Sequence, residues 1–168
     1  KMTLTPVRFL ERAAKIYGKN SAIVCENDRF TYSQYAYRVN QLANALRNLD
    51  VKPADRVAYF GYNCHRLLEC YYGIPALGAV LLPLNIRLAP TDIQYIIQDA
   101  EPKVLFVDPD FLTKIESILM HIPSVKHFFL LNDLSQKPPW ISGEYESLIQ
   151  ESTSTDILDS GMPYPFDE

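Results

Sequence analysis

The longest apolar run, from Gly73 to Leu88, has no strict alternation of apolar and polar positions. It predicts the end of a buried helix, a tight turn at Gly78 and a strand over 79–84, before Asn85 and Arg87 restore polarity. A strand without alternation is expected to be covered on both faces, as a central strand of a parallel α/β sheet is.

The same theme recurs along the chain. Helical spacing over 4–17 places Val7, Phe9, Leu10, Ala13, Ala14 and Tyr17 on one broad stripe. Thr5 is set to cap this helix, with Pro6 at its first position and Gly18 as the stop. Residues 21–25 and 29–31 read as a short hairpin turning at Asn27 and Asp28. Thr31 followed by Gln34 matches a capping box. The helix it opens runs to about Leu49, with Tyr35, Val39, Leu42, Ala43 and Leu46 on its apolar face and Arg38, Gln41 and Asn44 off it. Asp50, which accepts a left-handed backbone less easily than glycine, follows that helix.

Strands are predicted at 56–60, 79–84, 103–107 and 127–131. Between them fall a helix over 64–77 capped by Asn63 and kinked by Pro75, and a helix from Pro90 with core residues Ile93, Ile96 and Ile97. A third follows Asp108 and Pro109, with Leu112, Ile115, Leu119 and Ile122 on its face. The strands start about 24 residues apart, the length that right-handed crossovers need. The expected fold class is therefore α/β: a mainly parallel sheet with helices on both faces, plus a short β-hairpin near the N-terminus. A short helix is expected within 144–151, and 152–168 reads as a linker rich in Ser, Thr, Asp, Pro and Gly. The division is thus an α/β portion over 1–151 and a linker-like tail over 152–168.

Composition narrows the function. A formal charge of −4 supplies no basic footprint for nucleic acid. No apolar run reaches the roughly 18 residues of a membrane span, and Arg8, Glu11 and Arg12 argue against a signal peptide. Cys25, Cys64 and Cys70 are odd in number and lack metal-like spacing, so a reduced, cytoplasmic setting is expected.

Candidate chemistry is sparse. The six glycines are scattered, with no phosphate-loop spacing and no nucleophile elbow. His65, His121 and His127 each lack a partner at ligand spacing and read as structural or solvent-facing. Cys64 and His65 are adjacent on a helix and point about 100° apart, so they cannot pair directly. Asp108 and Asp110 follow the carboxyl end of a strand, where α/β folds place ligands, although capping explains Asp108. Tyr59, Tyr62, Tyr71 and Tyr72 read as core rather than a ligand cage.

The order of these features resembles the amino-terminal part of the adenylate-forming acyl-CoA synthetases, the AMP-binding ligases. The resemblance rests on the opening helix from Leu4 to Ala14, on Arg29 to Tyr32 with the helix that follows, and on Asp55 to Ala58 with Asn63. It continues through Leu77 to Leu88, Lys103 to Asp108 and Tyr145 to Leu148, and covers about Leu4 to Glu168. Asp50 and Ala54 stand where the family usually has glycine. The resemblance implies an enzyme that joins a carboxylic acid to CoA through an acyl-adenylate, with ATP, Mg2+ and CoA as cofactors. It also implies that the phosphate loop, the catalytic residues and the lysine-bearing domain come after a segment like Pro163 to Glu168. No catalytic, cofactor-binding or metal-binding residue is therefore assigned. The chain alone is expected to be inactive, with the remainder of the adenylation domain as its partner and a capacity to self-associate through exposed apolar surface. A self-standing α/β interaction module, or the start of an amino-acid-activating or luciferase-like enzyme, would share this pattern.

Overall fold

In the computed structural model, residues 6–152 are described; the predicted cap at Thr5 and the tail over 153–168 lie outside them. Among these residues five strands form one parallel sheet: β3 (Arg56–Phe60), β4 (Val80–Pro83), β5 (Val104–Val107), β6 (His127–Leu130) and β7 (Gly143–Glu144). Their spatial order is β4-β3-β5-β6-β7. A separate antiparallel hairpin joins β1 (Ser21–Cys25) and β2 (Asp28–Thr31). The mainly parallel sheet with an N-terminal hairpin is thus as the sequence predicts.

Alternation along the strands sends side chains to two cores. Val57, Tyr59, Val104, Phe106 and Phe129 face one layer, where α2 (Tyr32–Asn48), α3 (His65–Ala76) and α6 (Tyr145–Gln150) supply Leu42, Leu46, Ile74 and Ile149. Ala58, Phe60, Leu105, Val107 and Leu130 face the other, met by Ile93 and Ile97 of α4 (Pro90–Ala100) and Ile115 of α5 (Leu112–Glu116). A third cluster holds α1 (Pro6–Tyr17) against α2 through Val7, Leu10, Tyr35 and Val39. Buried apolar area on both sheet faces is the dominant stabilising term here.

Several boundaries differ from expectation, each for a local reason. Among the described residues the run at 79–84 is an edge strand, not a central one: β4 pairs there with β3 alone, and Val80 is 48% exposed. Its apolar character reflects Leu81 and Leu82 packing on opposite cores, with Ala79 and Leu84 buried at its ends. Gly78 makes the preceding turn at φ 71, which glycine adopts without steric cost. The hairpin turns at Glu26 and Asn27, with Glu26 left-handed at φ 53 and Asp28 already in the strand. Cys64, not Asn63, is the N-cap of α3, and it makes no side-chain capping bond. The stripe of α1 is narrower than predicted: Val7 and Leu10 are buried while Phe9 and Tyr17 are exposed. Conversely α2 is covered on more sides, with Gln41 and Asn44 buried.

The helix expected after Pro109 is three pieces: a 3-10 turn at Pro109–Phe111, α5, and a 3-10 turn at Leu119–His121. Ile118 is buried in place of Leu119, because α5 ends at Glu116 and the α-helical period that would bring Leu119 under Ile115 does not continue. The capping box on α2 forms as predicted: the Gln34 amide donates to Thr31 Oγ1 at 3.2 Å and the Thr31 amide to Gln34 Oε1 at 2.8 Å. β7 was not predicted; its two residues carry no periodic signal.

Candidate functional site

The connection after β3 enters α3 on one face of the sheet, while that after β5 enters α5 on the other. The carboxyl ends of β3 and β5 therefore flank a topological switch point, the crevice where open α/β sheets accept ligands. Its walls are Gly61 and Tyr62 on one side, Asp108 and Asp110 on the other, with Asn132 after β6. Gly61 has no space for a side chain: a Cβ there would collide with the Leu131 side chain and approach Asp108 Cβ at 3.4 Å.

Both oxygens of Asp108 are engaged. Asp108 Oδ1 accepts from the Asp110 amide at 3.1 Å and Oδ2 from Asn132 Nδ2 at 3.0 Å. Tyr62 donates to Asp110 Oδ2 at 3.2 Å across the crevice and packs on Phe111. Asp108 is thus both a cap, as predicted, and a brace between neighbouring loops.

Behind the crevice lies a buried ionic cluster between α2, α3 and α6. Arg38 forks onto two carboxylates. It meets Glu69 at 2.6 and 3.2 Å, and each oxygen of Glu146 at 2.9 Å. Glu69 is 0% exposed and also accepts from the Tyr145 hydroxyl at 2.7 Å. Arg66 donates to Glu146 at 2.9 Å and to Asn132 Oδ1 at 3.1 Å, which links the cluster to Asp108. Phe30 lies under Arg38 at 5.1 Å.

These contacts shift the groups strongly. Burial opposes ionisation of Glu146, but His65, Arg38 and Arg66 outweigh it and hold the carboxyl well below the carboxylate range. Burial likewise opposes the Arg38 charge, and Glu69 and Glu146 reverse that, so its pKa stands above the ordinary value. Burial, reinforced by Glu69 and Cys70, pushes the Tyr145 hydroxyl up. Burial first, and Glu69 after it, does the same to the Cys70 thiol. A thiol held protonated is a poor nucleophile.

The sequence candidates are placed as follows. His65 is buried rather than solvent-facing, with Nε2 3.7 Å from Glu146 Oε1 and Nδ1 3.7 Å from Asp28 Oδ2. Its neighbour Cys64 turns instead to the Tyr59 hydroxyl at 3.3 Å. His121 is exposed, and His127 stacks on Phe129. Of the four tyrosines only Tyr59 is core; Tyr62 and Tyr71 are exposed and Tyr72 is half-buried against Tyr35. The cluster partners Arg38, Glu69 and Glu146 escaped the sequence reading. The usable signal was Glu69, a charged residue among the apolar positions that follow Arg66 in α3.

Among the described residues no three His, Cys, Asp or Glu side chains form a group that could hold a metal ion. Both oxygens of Asp108 and Oδ2 of Asp110 are thus engaged by neighbouring loops, and among the described residues these aspartates act as braces.

Fold and crevice define a parallel α/β scaffold with its switch point between β3 and β5. A family model described as AMP-binding enzyme matches residues 10–159, and the chain belongs to that family. It is 40% identical over 129 residues to a long-chain-fatty-acid–CoA ligase of Thermus thermophilus, covering 74% of this chain and 24% of that protein. It is 34% identical over 166 residues to a butyrate–CoA ligase of Arabidopsis thaliana, covering 95% of this chain and 29% of that one. Among solved structures, the anthranilate CoA ligase AuaEII in complex with anthranoyl-AMP superposes with a TM-score of 0.84 at 26% identity, over 92% of this chain and 29% of that one. The chain therefore corresponds to the amino-terminal part of adenylate-forming CoA ligases and spans less than a third of their length. No described helix is long and apolar enough to cross a membrane.

Proposed function

We propose that this chain is the amino-terminal scaffold of an ATP-dependent acyl-CoA synthetase. The whole enzyme activates a carboxylic acid in two steps. The carboxylate attacks the α-phosphorus of ATP and pyrophosphate leaves, giving an acyl-adenylate. The CoA thiol then adds to the acyl carbon and AMP leaves. Mg2+ would offset phosphate charge in the first step. The phosphate loop and the catalytic groups belong to the part of the enzyme that follows 1–151, reached through the linker over 152–168. That remaining part is the principal partner of this chain, and three free cysteines favour a cytoplasmic setting.

The observation that carries this reading is the state of the switch-point crevice. Its two aspartates brace loops through Asn132, Tyr62 and the Asp110 amide, so the crevice serves as framework. The test is ATP–pyrophosphate exchange. The 168-residue chain should give none with butyrate, benzoate or a long-chain fatty acid, while the enzyme extended through the following phosphate loop and lysine-bearing domain should give exchange with at least one acid. Exchange by the chain alone, above a control without it, refutes the scaffold reading.

A further inference from the structure

We propose that His65 is a pH-sensitive latch: with its ring charged it ties the tip of the β1–β2 hairpin to the helical layer, and with its ring neutral it releases that tip. The latch goes beyond the scaffold reading and does not rest on it. His65 is the first residue of α3 and is buried. Its ring stands between two carboxylates from different elements. Nδ1 is 3.7 Å from Asp28 Oδ2 on β2, and Nε2 is 3.7 Å from Glu146 Oε1 on α6. Both are ion-pair distances, longer than a hydrogen bond. Nδ1 has no hydrogen-bond partner, and the Phe30 ring of β2 packs 5.1 Å from the imidazole. A neutral imidazole has one N–H and one lone pair, so one of its nitrogens presents a lone pair to a carboxylate oxygen. The imidazolium has a donor on each nitrogen and suits both sides.

The charges around the ring are one cation short. Asp28 faces it from β2 and Glu146 from α6. Glu69 lies one turn further along α3, and β1 contributes Cys25, which lines a concavity of about 380 Å³ together with Cys64 and His65. The cations are Arg38 of α2 and Arg66 of α3. Arg38 is held by Glu69 and Glu146, and Arg66 by Glu146. Three carboxylates therefore meet two guanidiniums. The positive end of α3 and the guanidiniums oppose a charge on the ring. The guanidiniums, however, are already matched by Glu69 and Glu146, while among the described residues His65 is the group within ion-pair distance of Asp28.

The position of Asp28 decides what such a contact would hold. The base of the hairpin is fixed without it: the Tyr32 amide donates to the Asn20 carbonyl and the Ser33 amide to the Gly18 carbonyl, both at 3.0 Å. Ile23 is buried in the cluster that joins α1 to α2. The tip is different. Asp28 opens β2 directly after the turn at Glu26 and Asn27, its side chain is 60% exposed, and Val24 beside the turn is exposed as well. Charging His65 therefore adds a hold at the tip alone, over the concavity between β1 and α3. Histidine changes charge between about pH 5 and 8. The added hold is present while the ring is charged and is lost as pH rises through the ring's titration.

The test is amide hydrogen exchange of the full 168-residue chain from about pH 5.5 to 8, expressed as protection factors, with the His65 ring resonances followed in parallel. Amides of the hairpin tip over 24–29 should be about threefold better protected with the ring charged, the factor expected of an ion pair with one solvated partner. Amides of β3, away from the latch, should show no such change. Asp28→Asn keeps the size of an exposed side chain and removes its charge, so it should flatten the pH dependence at the tip and leave β3 protection and circular dichroism as they were. Tip protection that does not follow the ring's titration would overturn the latch, as would a ring that stays neutral throughout. Protection that follows the titration equally in Asp28→Asn would overturn the assignment of Asp28 as its partner.

Discussion

Replacing Arg38 with methionine tests what holds the helical layer together. Among the described residues, the hydrogen bonds to the Glu69 carboxylate come from Arg38 and the Tyr145 hydroxyl. Glu69 is 0% exposed, so Arg38→Met leaves a buried carboxylate with one neutral donor. Breaking a buried pair from one side costs about 3–5 kcal/mol, a large share of the roughly 5–15 kcal/mol that holds a domain folded. Glu146 adds little to that cost, because Arg66 remains on it at 2.9 Å. With an m-value of about 2 kcal/mol per molar urea, the midpoint should fall by about 2 M. The double variant Arg38→Met with Glu69→Met should recover at least half of the loss, since removing both charges also removes both desolvation costs. Urea unfolding followed by circular dichroism reads both values. A loss below about 1 kcal/mol for the single variant, or a double variant less stable than the single, would refute the argument.

The same cluster has a pH signature. The Glu146 carboxyl is depressed in the folded state, so its contribution is fully present above an unfolded value of about 4.3. It is lost as pH falls through the folded value. Wild-type stability should decline below about pH 4.3, with a shallower decline in Arg38→Met.

Two further outcomes are expected. Ala54→Gly should stabilise the chain by about 1 kcal/mol, because Ala54 holds φ 68 in the turn before β3, where a Cβ is unfavourable; an unchanged or lower unfolding midpoint would contradict this. The isolated chain should self-associate or bind a hydrophobic dye at micromolar concentration, since Val24, Leu68 and Tyr71 are exposed around one concavity and, among the described residues, β4 has no second neighbour; a clean monomer by sedimentation with no dye binding would contradict it.

Short-range information was legible in the sequence wherever the determinant is local. The Thr31 and Gln34 capping box, the Asp108 cap before Pro109, and the four long strands depend on neighbouring residues or on a repeat within one element. The resemblance to the AMP-binding ligases came from the order of these same segments. Sheet order was not legible, because an apolar run of four to six residues looks the same at an edge as in the middle. Only the placement of β3 between β4 and β5 made 79–84 an edge strand. The ionic cluster was equally hidden. Arg38 meets Glu69 and Glu146 across separations of 31 and 108 residues, and on its own helix Arg38 reads as an ordinary residue off the apolar stripe. What pairs these charges is the packing of α2, α3 and α6 on one face of the sheet. That packing removes water from Glu69, and a buried carboxylate then requires the cation that only the folded chain brings to it.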